Sequence, residues 1–167
     1  MILLPAPFGT GELVAWRLDG ERHASTWDSG EGSFRVGGRW NSPGIRAVYM
    51  SIDPATAILE VAVHKGFPAL DTVSHTLTSA TILDPGKIHI VKPADVPNAN
   101  WLRPCVPSLG QQQFGDALLA RHPFILIPSA VSTYSWNLLF IAEHAKTLYK
   151  LRSQERFALD TRLRKAP

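Results

Sequence analysis

Arg39, Tyr49, Glu60 and Ser129 are the side chains of this 167-residue sequence whose types could cooperate in one reaction. Arg39 lies in "GGRWNSPG" (37–44), held between a glycine pair and a Pro-Gly stop. A planar guanidinium grips phosphate through two parallel hydrogen bonds, and glycines leave backbone N–H groups exposed beside it. The same guanidinium also serves as the structural partner of an acid, and Arg17, Arg35 and Arg46 add charge nearby in sequence. The spacing "GEGSFRVGGRW" matches neither the Walker loop nor the dinucleotide-fold glycine fingerprint, so the pattern alone names no ligand.

Glu60 sits in "DPATAILEVAVHK" (53–65), the clearest helix of the sequence. Asp53 suits the N-cap, and Pro54 suits the first turn, where its missing N–H costs nothing. Thr56, Glu60 and His64 follow at i, i+4 and i+8 and form a narrow polar stripe on an otherwise apolar helix. Such a helix is expected to be buried, with Glu60 facing the interior or a cleft. A buried carboxylate needs a cationic or hydroxyl-bearing partner. The alternative is an exposed Glu60–His64 pair along the helix edge.

These residues need elements to position them. "LVAWRL" (13–18) alternates as a strand, with Val14, Trp16 and Leu18 on one face and Arg17 alone on the other. "RAVYMS" (46–51) reads as a second strand, with Tyr49 between small neighbours that leave the ring's surroundings open. "VSHTLTSATI" (73–82) and "KIHIV" (87–91) are strand-like around a "DPG" turn, and Lys92 to Gln113 reads as irregular. "FGDALLARH" (114–122) makes a short helix stopped by Pro123, and "FILIP" (124–128) a buried strand ending beside Ser129. The segments "WNLLFIA", "TLYKL" and "RFALDTRL" suit strands and turns. Several strands against few helices point to an α+β class in one domain covering 1–167. Taken singly, Tyr49, Trp136 and Asn137 suit packing, and Ser129 suits a capping hydroxyl.

Composition removes several function classes. The apolar fraction is 45% and the charged fraction 19%, ordinary for a soluble domain. The net charge of +3 lies partly in the tail "RLRKAP", and neither a helix-turn-helix nor an aromatic-studded basic stripe accompanies it. Direct nucleic-acid binding is therefore not expected, and a basic non-catalytic binding module is a minor alternative. A lone cysteine, Cys105, excludes an internal disulfide and reads as a small packing residue. Six scattered histidines form no metal-ligand spacing, and "IPSAV" is not a serine-hydrolase elbow. The N-terminus lacks a basic leader, and no apolar run approaches the ~20 residues of a membrane span, so a cytoplasmic protein is expected.

The segment "GEGSFRVGGRWNSPGIRAVYMSIDPATAILEVAVH" (30–64) closely resembles the core of the RES-domain family, toxins of bacterial Xre–RES toxin–antitoxin modules. "AWRL", "FILIPSAV" and "RFALDTRL" resemble the family's early aromatic-Arg strand, its Pro-Ser strand end and its closing segment. The family's arginine, glutamate and serine fall at Arg39, Glu60 and Ser129, and its functional tyrosine at Tyr49. The family's Asn…Asn-Pro-x-His-Pro segment is replaced by "WNLLFIAEHAK", which keeps Asn137 and His144 but neither the prolines nor the second asparagine.

The resemblance implies an ADP-ribosyltransferase-like fold, mainly antiparallel packed sheets with a few helices around an NAD⁺ cleft. It implies cleavage of the nicotinamide–ribose bond, with water, phosphate or a protein acceptor receiving the ADP-ribose. Arg39, Tyr49 and Glu60 are the implied catalytic residues. Arg17, Arg39, Tyr49, Ser129 and Asn137 are the implied NAD⁺ contacts. No further cofactor and no metal are implied, since NAD⁺ is itself the substrate. The implied partner is an Xre-type DNA-binding antitoxin, and a homodimer is compatible with the family.

Overall fold

The structure is a computed structural model that describes residues 12–160 and 162. Seven strands form one sheet: β1 (Leu13–Gly20), β2 (Ala47–Ser51), β3 (His75–Ile82), β4 (Ile88–Ile90), β5 (Phe124–Pro128), β6 (Trp136–Ile141) and β7 (Tyr149–Phe157). Among the described residues, five α-helices accompany them: α1 (Glu31–Val36), α2 (Pro54–Lys65), α3 (Phe67–Thr72), α4 (Leu109–Leu119) and α5 (Ala142–Ala145). The α+β class follows, as the sequence implied. The sheet order is β4-β5-β6-β2-β1-β3-β7, antiparallel throughout except for the parallel β4–β5 pair.

The sheet has a weak seam. β1 and β3 stay in register from Leu13↔Ile82 to Gly20↔His75, and β2 and β6 from Ala47↔Ile141 to Ser51↔Asn137. Between these two ladders, β1 and β2 share only the pair Trp16↔Ser51. Two well-paired half-sheets are thus joined at one point, and a cleft opens where the ladder stops.

Alternation along the strands explains why both faces are covered. Phe124 and Leu126, Leu138 and Phe140, Val48 and Met50 enter one core. Their neighbours Ile125, Ile127, Leu139 and Ala47 enter a second core beneath Trp40, Leu118 and Leu119. Each fully buried Val, Leu, Ile, Phe or Met side chain among them contributes about 1.5–3 kcal/mol. A third cluster packs Ala62 of α2 and Leu70 of α3 onto Leu18 of β1. Arg17 is not alone on its face of β1, because Leu13 and Ala15 there are among the most deeply buried residues.

Two other expectations change. α4 begins at Leu109, five residues before the expected start, because the Ser108 hydroxyl accepts from the Gln111 N–H as an N-cap. α2 is less buried than its apolar content implied: only Thr56, Ala57 and Ala62 are buried, and Val63 is 57% exposed. Its N-terminus is as expected, with Asp53 accepting from the Thr56 N–H (2.8 Å) and hydroxyl (2.7 Å).

Candidate active site

At the seam between the half-sheets, Arg17 replaces the missing ladder. Its Nη1 donates to the Tyr49 carbonyl on β2 (2.9 Å), while Nε and Nη2 donate to Asp19 Oδ2 (3.2 and 2.8 Å). Three of its five N–H hydrogens are thereby used, leaving two. Beside this bridge lies a cavity of about 320 Å³ lined by Trp16, Arg17, Tyr49, Ser51, Glu60 and Asn137, with Gly38 and Arg39 in its wall.

Glu60 projects from α2 into this cavity and bonds across it, not along the helix to His64. Its Oε1 accepts from the Ser129 hydroxyl (3.0 Å) and from the Asn137 amide (2.6 Å). Both donors are themselves held. Ser129, just beyond β5, accepts from the N–H groups of Val131 (3.2 Å) and Ser132 (3.0 Å). Asn137 on β6 takes the Ser51 hydroxyl at Oδ1 (2.8 Å), which fixes which way its amide points. Ser51, Ser129 and Asn137 are all buried. A buried polar network whose members are satisfied holds one geometry. Its consequence here is a carboxylate with one oxygen tied down and Oε2 left for a ligand.

The helix carrying Glu60 is fixed by the same loop. The Ser135 hydroxyl donates to Asp53 Oδ2 (2.5 Å), linking the α2 N-cap to the turn that holds Ser129. Burial opposes ionisation of Asp53, but the Ser135 and Thr56 hydrogen bonds outweigh it and hold its carboxyl below the ordinary range.

The "GGRWNSPG" turn is built around the Tyr49 hydroxyl. That hydroxyl donates to Asn41 Oδ1 (2.7 Å) and accepts from the Trp40 N–H (3.0 Å). Burial pushes its ionisation far up, so it stays protonated. The open surroundings expected for Tyr49 are therefore filled. Gly38 makes room for it: a Cβ there would lie 2.6 Å from the tyrosine oxygen. Asn41, fully buried, donates to the carbonyls of Ser33 (3.3 Å), Ser42 (2.9 Å) and Ile45 (3.2 Å). α4 clamps the turn from outside, with Asp116 accepting from the Ser42 N–H (2.9 Å) and hydroxyl (2.6 Å), and Gln112 donating to the Gly38 carbonyl (2.9 Å).

Arg39 occupies the wall in an unexpected way. Its Nη1 donates to the carbonyls of Trp101 (3.4 Å) and Arg103 (3.2 Å), and Nη2 to that of Cys105 (3.1 Å). Its structural partner is thus a backbone segment and not an acid, and Nε and one Nη2 hydrogen remain for a ligand. Cys105 is exposed, not a packing residue, because this segment lies on the surface.

The structure therefore brings Arg17, Arg39, Tyr49, Glu60 and Asn137 to one cleft, which Ser129 reaches through its bond to Glu60. Ser51 also lines it, and Asn41, Gln112 and Asp116 hold the turn that forms its wall. Ser51 had a signal, its place two residues after Tyr49 on the same strand face. Asn41 lies inside the "GGRWNSPG" turn, but nothing in the sequence ties Gln112 or Asp116 to it.

The RES domain profile matches residues 14–160. A "Toxin Res" of Photorhabdus laumondii is 31% identical over 159 residues, covering 92% of this chain and 99% of the relative. A "Toxin Res" of Yersinia enterocolitica is 30% identical, with coverage of 91% and 100%. The "Prs ADP-ribosylating toxin" of a Sphingobium species is 30% identical, with coverage of 89% and 94%. Among solved structures, a chain of the M. tuberculosis MbcT–MbcA toxin–antitoxin complex superposes with a TM-score of 0.71 at 21% identity, over 89% of this chain and 85% of that one. With the profile spanning nearly the whole described chain and relatives at 30–31% identity over their full length, this chain belongs to the RES domain family.

Proposed function

We propose that this protein is the toxin of a bacterial toxin–antitoxin module and cleaves the nicotinamide–ribose bond of NAD⁺, passing ADP-ribose to phosphate or water. The observation that carries the reading is Glu60, its Oε1 held by Ser129 and Asn137 and its Oε2 left to the cleft. Breaking that bond builds positive charge on the ribose, and a preorganised carboxylate stabilises it as it develops. The bond from ribose C1′ to the pyridinium nitrogen breaks, its electron pair neutralises the ring, and nicotinamide leaves. An oxygen nucleophile then bonds C1′, a water losing its proton to solvent and a phosphate giving ADP-ribose-1-phosphate.

Glu60 Oε2 orients the ribose hydroxyls in this scheme. Tyr49 and Trp16 supply aromatic surface for nicotinamide, and the remaining N–H groups of Arg17 and Arg39 face the phosphates. Ser129 and Asn137 act through Glu60 as positioning residues. The relatives named "Toxin Res" support the biological role, and the neighbour from a toxin–antitoxin complex supports an antitoxin partner, for which we propose the Xre type. A cytoplasmic site of action follows from this reading, since NAD⁺ is a cytoplasmic metabolite. No described helix is long and apolar enough to cross a membrane.

A second reading, transfer of ADP-ribose to a host protein, is favoured by the relative named "Prs ADP-ribosylating toxin". Purified protein incubated with NAD⁺, with and without phosphate, separates the two. Phosphate-stimulated nicotinamide release with ADP-ribose-1-phosphate as product supports phosphorolysis. Release only after lysate is added, with label on a protein band, supports transfer. No nicotinamide under either condition overturns both.

A further inference from the structure

A second cavity, about 550 Å³, shares Arg17 and Asp19 with the first, so that ion pair is a wall common to both. Arg22, His23, Thr26 and Arg35 line its far side. Arg22 spends only Nε, on His23 Nε2 (3.0 Å), and Arg35 spends only Nε, on Glu31 (2.8 Å). Among the described residues, the terminal nitrogens of both guanidiniums have no protein partner. Both carboxylates in this lobe are already committed, Asp19 to Arg17 and Glu31 to Arg35 and to Arg46, which lies outside it. Arg17, Arg22 and Arg35 therefore outweigh Asp19 and Glu31, and the lobe is net cationic.

The first cavity alone lies at the small end of the roughly 300–1,000 Å³ typical of small-molecule sites. It holds Glu60 and so must take the ribose whose bond is cut. A dinucleotide extends well beyond that ribose, on its 5′ side, through a pyrophosphate. A net-cationic lobe across Arg17 suits that extension.

We propose that the second lobe binds the adenosine monophosphate half of the dinucleotide, with the pyrophosphate passing over Arg17 and within reach of Arg22 and Arg35. The assignment rests on the NAD⁺-cleaving reading. It makes the lobe the part of the protein that distinguishes a dinucleotide from nicotinamide mononucleotide. An attacking phosphate is a poor alternative occupant, because it must reach C1′ beside Glu60, which the second lobe does not contain.

The test compares wild type with Arg22→Ala/Arg35→Ala, both exposed positions whose removal leaves the core intact. Two quantities are measured: the ratio of kcat/KM for NAD⁺ to that for nicotinamide mononucleotide, and calorimetric affinity for adenosine 5′-monophosphate. Losing two charge-assisted contacts is expected to lower each by about tenfold or more. Arg22→Glu, which reverses a charge, should lower adenosine monophosphate affinity further than Arg22→Ala does. Unchanged adenosine monophosphate affinity in the double variant overturns the assignment whatever the kinetics. Equal affinity of the wild type for inorganic phosphate also overturns it, since the lobe would then be a simple anion site. If the wild type cleaves neither substrate, the proposed reaction falls, and adenosine monophosphate binding alone decides the lobe.

Discussion

The amide nitrogen of Asn137 lies 2.6 Å from Oε1 of Glu60, joining a strand of one half-sheet to a helix packed on the other. With Ser129 on the same oxygen, it leaves the carboxylate little freedom to rotate. Asn137→Ala removes one of these donors and leaves the half-buried carboxylate under-satisfied. A hydrogen bond to a charged group is worth about 1.5–3 kcal/mol, so kcat for nicotinamide release should fall about 10–100-fold. KM for NAD⁺ should change less, because Asn137 reaches substrate only through Glu60. Asn137→Asp should be more damaging still, since it sets a like charge against Glu60. Glu60→Gln should abolish turnover, and a fully active Glu60→Gln protein would mean that the carboxylate is not the catalytic group.

Tyr49 is expected to act through its ring and its neutral hydroxyl. Tyr49→Phe keeps the ring but strands the Trp40 N–H and Asn41 Oδ1, and should cost about 1–3 kcal/mol in urea unfolding. Burial raises the folded-state ionisation above its ordinary value near 10. The stability gained from the neutral form is thus fully present below about pH 10 and lost as pH rises beyond it. Activity between pH 6 and 9 (roughly the working range) should show no Tyr49 titration, and Tyr49→Phe should leave the shape of that profile unchanged.

Arg39 holds three carbonyls of the 101–105 segment with one planar fork. A lysine ammonium at this position is compact and cannot reproduce that fork. Arg39→Lys should therefore speed amide hydrogen exchange across 99–107 while leaving β5 and β6 protected. If exchange there is unchanged, the fork does not hold the segment. Nicotinamide release should fall in parallel, because the same guanidinium forms a wall of the cleft.

Much of this arrangement was legible in the sequence, for identifiable reasons. The Asp53-Pro54 start is local, so α2 could be read directly, whereas the spacing of Thr56, Glu60 and His64 left Glu60 open between a cleft and an exposed pair with His64. The placement of Tyr49 between Ala47 and Ser51 follows from strand alternation. The contacts that give these residues their geometry are not local. Ser42 meets Asp116 across 74 positions, and Arg39 meets Cys105 across 66. No periodicity encodes such pairs. The early start of α4 was hidden because "SLGQQQ" is poor in apolar residues, although Ser108 is a recognisable cap. The commitment of Arg39 to carbonyls was equally invisible, since backbone acceptors carry no sequence signature.

Asp53 couples the α2 N-cap to the Ser129 turn, and its hydrogen bonds are made in the ionised form. Its folded-state ionisation lies below the ordinary value, so its contribution to stability is present above about pH 4. That contribution is lost as pH falls through the lowered folded value. Urea unfolding at neutral pH should show Asp53→Asn less stable than wild type. The gap should narrow as pH falls below about 4 and the wild-type carboxylate takes up its proton. A gap of constant size at all pH values would assign the difference to shape and not to charge.

Gly115 marks the tightest contact between α4 and the turn that carries Arg39. A Cβ at this position would lie 1.9 Å from the Trp40 carbonyl oxygen, which is backbone and cannot swing aside. Gly115→Ala gains helix propensity of about 1 kcal/mol in an isolated helix, yet here it must push α4 off the turn. Overpacking of this kind costs about 1–3 kcal/mol and displaces the partner. The displacement falls on the bonds from Asp116 to Ser42 and from Gln112 to Gly38. Thermal unfolding should therefore show a net loss, and kcat/KM for NAD⁺ should fall although Gly115 does not line the cleft. Ala117→Gly, at an exposed position on the opposite face of the same helix, should lower stability through propensity alone and leave kcat/KM near wild type. If both variants depress kcat/KM equally, the effect is general softening of α4, and the tight contact at Gly115 is not what positions the turn.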